Sequence, residues 1–342
     1  MKIALGSKIQ KGPWGGGNQF LNNFKNYFEK KGHSIYFDLK NKDLDIILLT
    51  DPRPKSSSAS FNHFDIEKYL KYNCKALVVY RFNECDERKN TTGINKSLIF
   101  ANDFADYSVF ISTWLRDLYC NLKIFNNNNS TVILNGADNK VFFKSLKKNK
   151  SKKISLITHH WSSHINKGFD CYKEIDNLFN DKEFKDNFDF TFVGNLPRNF
   201  KFKYTNYIEP KSGMDLSNIL REHHVYITAS KNEPGGNHQN EGLNCGLPVL
   251  YMNSGCMPEY CQGFGISFNK TNLKEKIYEI KNRYYEFRNK VKDYKINATN
   301  MCKNYEFLFQ YLVKNKDYIL SSRNKKTSNF LHKLKFILDR ML

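Results

Sequence analysis

Short apolar or β-branched runs recur along the whole chain, and each is followed by a stretch of helical spacing before the next begins. In the first half they fall at residues 2–5, 34–37, 45–49, 76–80, 107–111 and 131–134. In the second half they restart with Lys153-Ile-Ser-Leu-Ile-Thr158 and return around Thr191, Val225, Pro248 and residues 265–268. Strands alternating with helices pair in parallel through helical crossovers, so the class is α/β with Rossmann-like sheets. A lysine-rich stretch at 139–153, apolar only at Phe142-Phe143, divides the two series. The length of 342 residues suits two domains of about 150 residues each. The expected division is an N-terminal domain over 1–145, a second over 150–303, and a C-terminal segment over 304–342. Ligands of such sheets bind at the carboxyl ends of the strands.

The span richest in chemistry lies in the second series. Val225-Tyr-Ile-Thr-Ala229 reads as a buried strand and Glu233-Pro-Gly-Gly-Asn-His-Gln-Asn-Glu241 as the loop after it. Glu241 opens a short helix ending at Gly246, and Pro248-Val-Leu-Tyr251 starts the next strand. Pro234, Gly235 and Gly236 break the first strand and turn backbone N–H groups toward an anion. A diphosphate would lie against the loop at Gly235, Gly236 and Asn237, with Gly242 behind it. Glu241, one helical turn further in, would accept two ribose hydroxyls; the alternative is a carboxylate stabilised by the helix dipole.

The stretch from Ala229 to Glu259 resembles the donor-binding segment of retaining glycosyltransferases of family 4, which have the GT-B fold. The matching string is Ser230, Glu233, Glu241, Gly246-Leu-Pro-Val249, Gly255 and Pro258-Glu259, in family order. Gly12-Pro-Trp-Gly-Gly-Gly17-Asn18 resembles the glycine-rich loop of the N-terminal domain, and Asp106-Tyr-Ser-Val-Phe-Ile-Ser112 a strand whose serine precedes a helix. Val132-Ile-Leu-Asn135-Gly136-Ala-Asp138 with Phe142 is similar to the segment closing the first domain, and Phe190-Thr-Phe-Val-Gly194 to a second-domain strand. The likeness spans roughly residues 1 to 320, loosely in the first domain and tightly in the second.

The resemblance implies two Rossmann-like domains facing a central cleft, with a C-terminal helix crossing back to the first. It implies hexosyltransferase chemistry: transfer from a nucleoside diphosphate sugar to a saccharide or lipid-linked acceptor with retention, in cell-surface polysaccharide or glycan synthesis. Glu241 would hold ribose, Glu233 the donor sugar and Lys167 the leaving diphosphate, with Gly194 on the donor side. Gly16, Gly17 and Asn18 would border the diphosphate or the acceptor. No cofactor and no metal is implied. Asp43-Leu-Asp45, a superficial DxD, stands at the entry of a strand and is read as structural.

Two departures from the family pattern stand out. Lys167-Gly168 is present, but Ser162 occupies the usual position of an arginine. His159, His160 and His164 are candidate replacements as protonated imidazoles, or plain loop histidines; Ser162 and His160 are retained as donor-side candidates. After the fourth strand the chain reads Val78-Val-Tyr-Arg81-Phe-Asn83-Glu-Cys-Asp86-Glu-Arg88, without the family's usual histidine. Arg81 and Asn83 are candidates for sugar or acceptor hydroxyls. Asp86 joins Glu233 and Lys167 as a catalytic candidate, an acceptor base, unless it is ion-paired with Arg88. Two other functions suit the same residues: a nucleotide-sugar epimerase, and a non-catalytic basic binding module derived from a transferase.

The formal charge of +20 does not read as nucleic-acid binding, because the lysines are dispersed among many asparagines and no zinc-finger, RRM or KH signature is present. That pattern is closer to a compositional bias than to a basic stripe, and an anionic membrane surface or an anionic acceptor accounts for the charge at least as well. At 330–342, Phe330, Leu331, Leu334, Ile337, Leu338 and Met341 fall at helical spacing beside Lys333, Lys335 and Arg340, a pattern that fits an anionic bilayer or the protein's own surface. No run of 18 apolar residues and no signal-peptide h-region occurs, so the expected location is cytoplasmic, at most peripheral at the inner face of the membrane. The eight cysteines are scattered without CxxC or zinc spacing, as expected of reduced thiols.

Overall fold

The computed structural model describes residues 1–10, 15–53, 56–122, 129–144 and 152–323. Residues 12–14 of the glycine-rich loop and the amphipathic stretch 330–342 lie outside the described residues. The chain forms two compact units. The first comprises Met1–Lys11, Phe20–Leu134 and the chain from Met301 onward; the second comprises Gly12–Gln19 and Asn135–Asn300.

Around the first sheet the elements run β1 (Lys2–Leu5), α1 (Gly16–Lys30, in the first unit from Phe20), β2 (Ser34–Tyr36), β3 (Ile46–Leu49), α2 (His63–Leu70) and β4 (Leu77–Phe82). They continue through α3 (Ile94–Asn102), β5 (Tyr107–Phe110), α4 (Thr113–Asn121) and β6 (Ser130–Val132). The six strands are parallel, in the order β2-β1-β3-β4-β5-β6. Helices cover both faces, so central strands must be apolar throughout rather than alternating, as Ile46-Ile47-Leu48-Leu49 is. Phe20, Phe24 and Phe28, four residues apart, form the buried stripe of α1. That stripe meets Tyr305 and Phe309; Phe24 stacks on Phe28 at 4.2 Å and meets Tyr305 edge-on at 5.6 Å. Asp45 accepts the Lys2 amide at 2.8 Å and Asp43 pairs with the Lys2 ammonium, so the Asp43-Leu-Asp45 triplet anchors β1.

The second unit runs β7 (Ile154–His160), a 3-10 turn (Ile165–Lys167), α5 (Phe169–Leu178), α6 (Lys182–Asn187), β8 (Phe188–Gly194), β9 (Asn206–Ile208), α7 (Gly213–Arg221) and β10 (Val225–Thr228). Then come α8 (His238–Asn244), β11 (Val249–Met252), α9 (Met257–Cys261), β12 (Gly265–Phe268), α10 (Leu273–Asn282) and α11 (Tyr284–Lys290). Its sheet is again all parallel, ordered β12-β11-β10-β7-β8-β9. The chain moves outward from β7 through β8 and β9, then crosses back to β10 on the other side of β7. The strand order therefore reverses between β7 and β10, the place where open α/β sheets leave a crevice for ligands. Helix α12 (Ala298–Lys314) returns the chain to the first unit and is followed by α13 (Lys316–Ser321). Among the described residues no helix is long and apolar enough to cross a membrane. All eight cysteines are free thiols.

Candidate donor site

The carboxyl ends of β7 and β10 carry most of the residues singled out in the second unit. From β7 the chain passes through the 3-10 turn bearing Lys167; from β10 it passes through residues 229–237 into α8. The two loops are fastened together, since the Lys231 amide donates to the Asn166 carbonyl at 2.8 Å. This brings the Lys167 ammonium onto the Glu233 carboxylate, with side chains only 11% and 5% exposed. Charges buried so far lose most of their hydration, and each is tolerable because the other compensates it. The Glu233 carbonyl in turn accepts the Cys256 amide at 2.9 Å, which anchors the loop near α9.

Helix α8 begins at His238, three residues earlier than expected, so Glu241 lies inside it rather than opening it; the Glu241 amide already bonds the Asn237 carbonyl at 2.9 Å. The buried Glu241 carboxylate faces His159 on β7, with Oε2 2.6 Å from Nε2. Behind that ring, Tyr226 Oη lies 3.2 Å from His159 Nδ1. Burial raises the Tyr226 phenol well above its usual range, so it stays protonated.

The glycine loop is tied down by side-chain amides. Asn135 Nδ2 donates to the Gly235 carbonyl at 2.5 Å, and Gln239 Nε2 to the Gly236 carbonyl at 2.6 Å. Asn240 Nδ2 donates to the Asn135 carbonyl at 3.2 Å, while the Tyr294 hydroxyl holds Asn240 Oδ1 at 2.5 Å. Two buried acceptors at this loop, Asn237 Oδ1 and Gln239 Oε1, have no hydrogen-bond partner among the described residues. Buried acceptors are rarely left so, and a bound ligand would supply what they lack.

Gly16 joins this group: a Cβ there would lie 3.5 Å from Asn237 Nδ2, which also donates to Gln19 Oε1 at 3.3 Å. The Asn18 amide bonds the Gly15 carbonyl at 3.0 Å, starting α1, and Gly17 is exposed with open space beside it. Gly194 and Gly242 are explained by packing instead. A Cβ on Gly194 would meet the His160 carbonyl oxygen at 2.0 Å, and one on Gly242 the Tyr226 ring at 2.5 Å. Ser162 is half-buried, its hydroxyl accepting the His164 amide at 3.3 Å.

The histidine replacements for the missing arginine need correction. His160 is buried, with Nε2 2.7 Å from Tyr172 Oη. Desolvation, reinforced by His238 and Lys167, holds it well below its usual range, so it is neutral and offers no charge to phosphate. His164 Nδ1 accepts the Asn166 amide at 3.2 Å and caps the 3-10 turn. His159 is turned to Glu241.

The first-unit candidates do not form a comparable group. Arg81 is 2% exposed, its guanidinium 4.0 Å from the centre of the Phe20 ring, so it serves the core rather than presenting itself at the strand end. Asp86 is not placed as a base. Its carboxylate accepts the Ile94 and Asn95 amides and the Thr91 hydroxyl at 2.9–3.0 Å, caps α3, and leaves Arg88 to bond Glu84 at 3.0 Å. Asn83 is half-buried beyond the end of β4. Tyr226, Gln239 and Asn240 had no sequence signal: each became visible only once the sheet register and α8 set them beside one another.

No family model and no curated protein matches this chain. Solved structures do. Anabaena HepE in complex with UDP superposes with a TM-score of 0.66 at 12% identity, covering 91% of this chain and 100% of its own. The catalytic domain of starch synthase IV from Arabidopsis thaliana, bound to ADP and acarbose, gives 0.65 at 11% identity, covering 92% and 99%. Sucrose-phosphate synthase from Thermosynechococcus elongatus gives 0.61 at 12% identity, again covering 92% and 99%. The fold is GT-B. At these identities the likeness is one of architecture, with the two parallel sheets and their helices matched over nearly the whole of each chain.

Proposed function

We propose that this GT-B chain is a retaining glycosyltransferase of the family 4 type, moving a hexose from a nucleoside diphosphate donor to a hydroxyl of a saccharide or lipid-linked acceptor. The observation that carries this reading is the meeting of Lys167 with Glu233, and of Glu241 with the end of β7, at the switch point of the second sheet. Glu233 and Glu241 of the family string meet there with Lys167, which stands more than sixty residues earlier in the chain. HepE was solved with UDP, and starch synthase IV with ADP and acarbose, which supports a nucleoside diphosphate as the shared ligand class.

In this reading Glu241 accepts ribose hydroxyls and Glu233 holds the sugar. Lys167 and the N–H groups of the loop at Gly235 and Gly236 face the diphosphate. The acceptor oxygen bonds the anomeric carbon from the face the diphosphate leaves, as the bond from that carbon to the phosphate oxygen breaks and the acceptor's hydroxyl proton passes to that departing oxygen. Charge develops on the departing diphosphate, and prepositioned cations and N–H dipoles in a poorly hydrated site stabilise it most at that moment. The proposal invokes neither cofactor nor metal. Asp86 and Arg81 have no part in it.

The test is nucleotide release from UDP-, GDP-, ADP- and CMP-sugars, with and without acceptor extracts, followed by NMR of the new glycosidic linkage. One donor should be consumed in an acceptor-dependent manner with its anomeric configuration kept, and Lys167→Ala should slow turnover by about 100- to 1,000-fold. An isomerised sugar released without acceptor would make the chain an epimerase. Nucleotide binding without turnover would make it a binding module.

A further inference from the structure

Glu241 is held by more than its helix. A carboxylate only accepts, so the 2.6 Å contact requires the proton on His159 Nε2. The other ring nitrogen faces Tyr226 Oη at 3.2 Å, and the His159 amide reaches the same oxygen at 3.3 Å. Tyr226 and His159 stand on neighbouring strands, with Tyr226 in register with Ile157. The hydroxyl reaches across because the Tyr226 ring lies against α8 at Gly242, where a Cβ would meet the ring at 2.5 Å. His159, Tyr226, Gly242 and Glu241 are thus one buried assembly built from two strands and a helix.

We propose that His159, backed by Tyr226, is a positioning residue that locks the Glu241 carboxylate for recognition of the donor ribose and sets how strongly the site distinguishes ribose from deoxyribose. This rests on the reading of Glu241 as the ribose ligand. With Oε2 engaged by His159, the carboxylate cannot swing about its last torsion, and Oε1 with the remaining lone pair of Oε2 point in fixed directions. Two vicinal hydroxyls meet such an acceptor without a cost for ordering it, and loss of either hydroxyl is felt fully. Without His159 the carboxylate turns, is hydrated, and accepts one hydroxyl or a water about equally well.

The experiment is calorimetric titration of the full chain with UDP and ADP, then with the 2′-deoxy counterpart of whichever binds more tightly. Wild type should prefer the ribonucleotide by about 10- to 100-fold, the effect of one hydrogen bond to a charged group. His159→Phe should bring that ratio below about threefold while leaving deoxynucleotide affinity nearly unchanged. His159→Gln, whose amide still donates, should restore part of it. Tyr226→Phe, which keeps the ring against Gly242 and removes only the hydroxyl, should lower the ratio about threefold and serves if His159→Phe does not fold. A purely structural role would weaken both nucleotides equally. If His159→Phe and Tyr226→Phe keep the wild-type ratio while Glu241→Ala loses it, the positioning role is wrong and the ribose site stands. If Glu241→Ala also keeps the ratio, or wild type binds neither nucleotide, the ribose reading of Glu241 falls and the positioning role with it.

Discussion

Breaking the Lys167–Glu233 pair from one side at a time should cost far more than removing it whole. The two side chains are 11% and 5% exposed, so neither charge is well hydrated in the folded state. At ion-pair contact and an effective dielectric constant of about 20, their attraction is on the order of 5 kcal/mol, and desolvation of both groups offsets most of it. Lys167→Met removes the attraction and keeps the carboxylate buried, which should cost about 4 kcal/mol. Glu233→Gln should cost about 3 kcal/mol, less because the ammonium is the more exposed partner. The double variant removes both charges together and should return to within about 1 kcal/mol of wild type, giving a coupling energy of at least about 6 kcal/mol. Urea unfolding of the four proteins, followed by circular dichroism at pH 7.5, measures the cycle. Single variants that each lose less than about 1 kcal/mol and combine additively would refute the compensation argument.

Three further outcomes follow from particular contacts. Gly242→Ala drives a methyl group against the Tyr226 ring, where the Cβ would stand at 2.5 Å, and should cost about 1–3 kcal/mol in urea unfolding; a neutral result would mean that α8 can lift from β10. His160 is held neutral by burial, whereas the unfolded chain takes up its proton near the ordinary value of 6.5. Stability should therefore fall as pH drops below 6.5, by up to about 1.4 kcal/mol per pH unit, and His160→Gln should flatten that part of the profile; an unchanged slope would contradict a neutral His160. Asp176, fully buried, accepts the Lys203, Tyr204 and Thr205 amides at 2.8–2.9 Å, and these bonds, working against desolvation, lower its carboxyl to about 2. Its contribution should be complete above about pH 4 and vanish as pH falls toward 2; Asp176→Asn should cost about 2 kcal/mol at pH 7 and remove that acid-side loss.

The legible parts of this chain are those written locally. Runs such as Ile46-Ile47-Leu48-Leu49 state by themselves that a strand is covered on both faces, and their alternation with helices implies parallel pairing. The spacing from Glu233 to Glu241 could be read because a loop and one helical turn intervene. The illegible parts are those in which a residue's partner is remote. Arg81 reads as a strand-end cation, yet Phe20, about sixty residues earlier, takes its guanidinium into the core. Asp86 reads as an available carboxylate, and α3 begins where its oxygens are. The three histidines at and just beyond the end of β7 look equivalent in sequence, but strand alternation turns His159 and His160 to opposite sides. One meets Glu241 and the other Tyr172.

By itself, then, the sequence determined the α/β class, two series of parallel strands, the glycine loop and the residue types gathered around it, because those depend on hydrophobic period and turn chemistry within a few residues. Only the tertiary structure decided which charge neutralises which, which histidine is silent, and that Glu241 has a partner across the sheet. The physical reason is that the ionisation and orientation of a buried group are set by the atoms within about 4 Å of it. At the end of β7 those atoms come from β10 and α8, some seventy to eighty residues further along the chain.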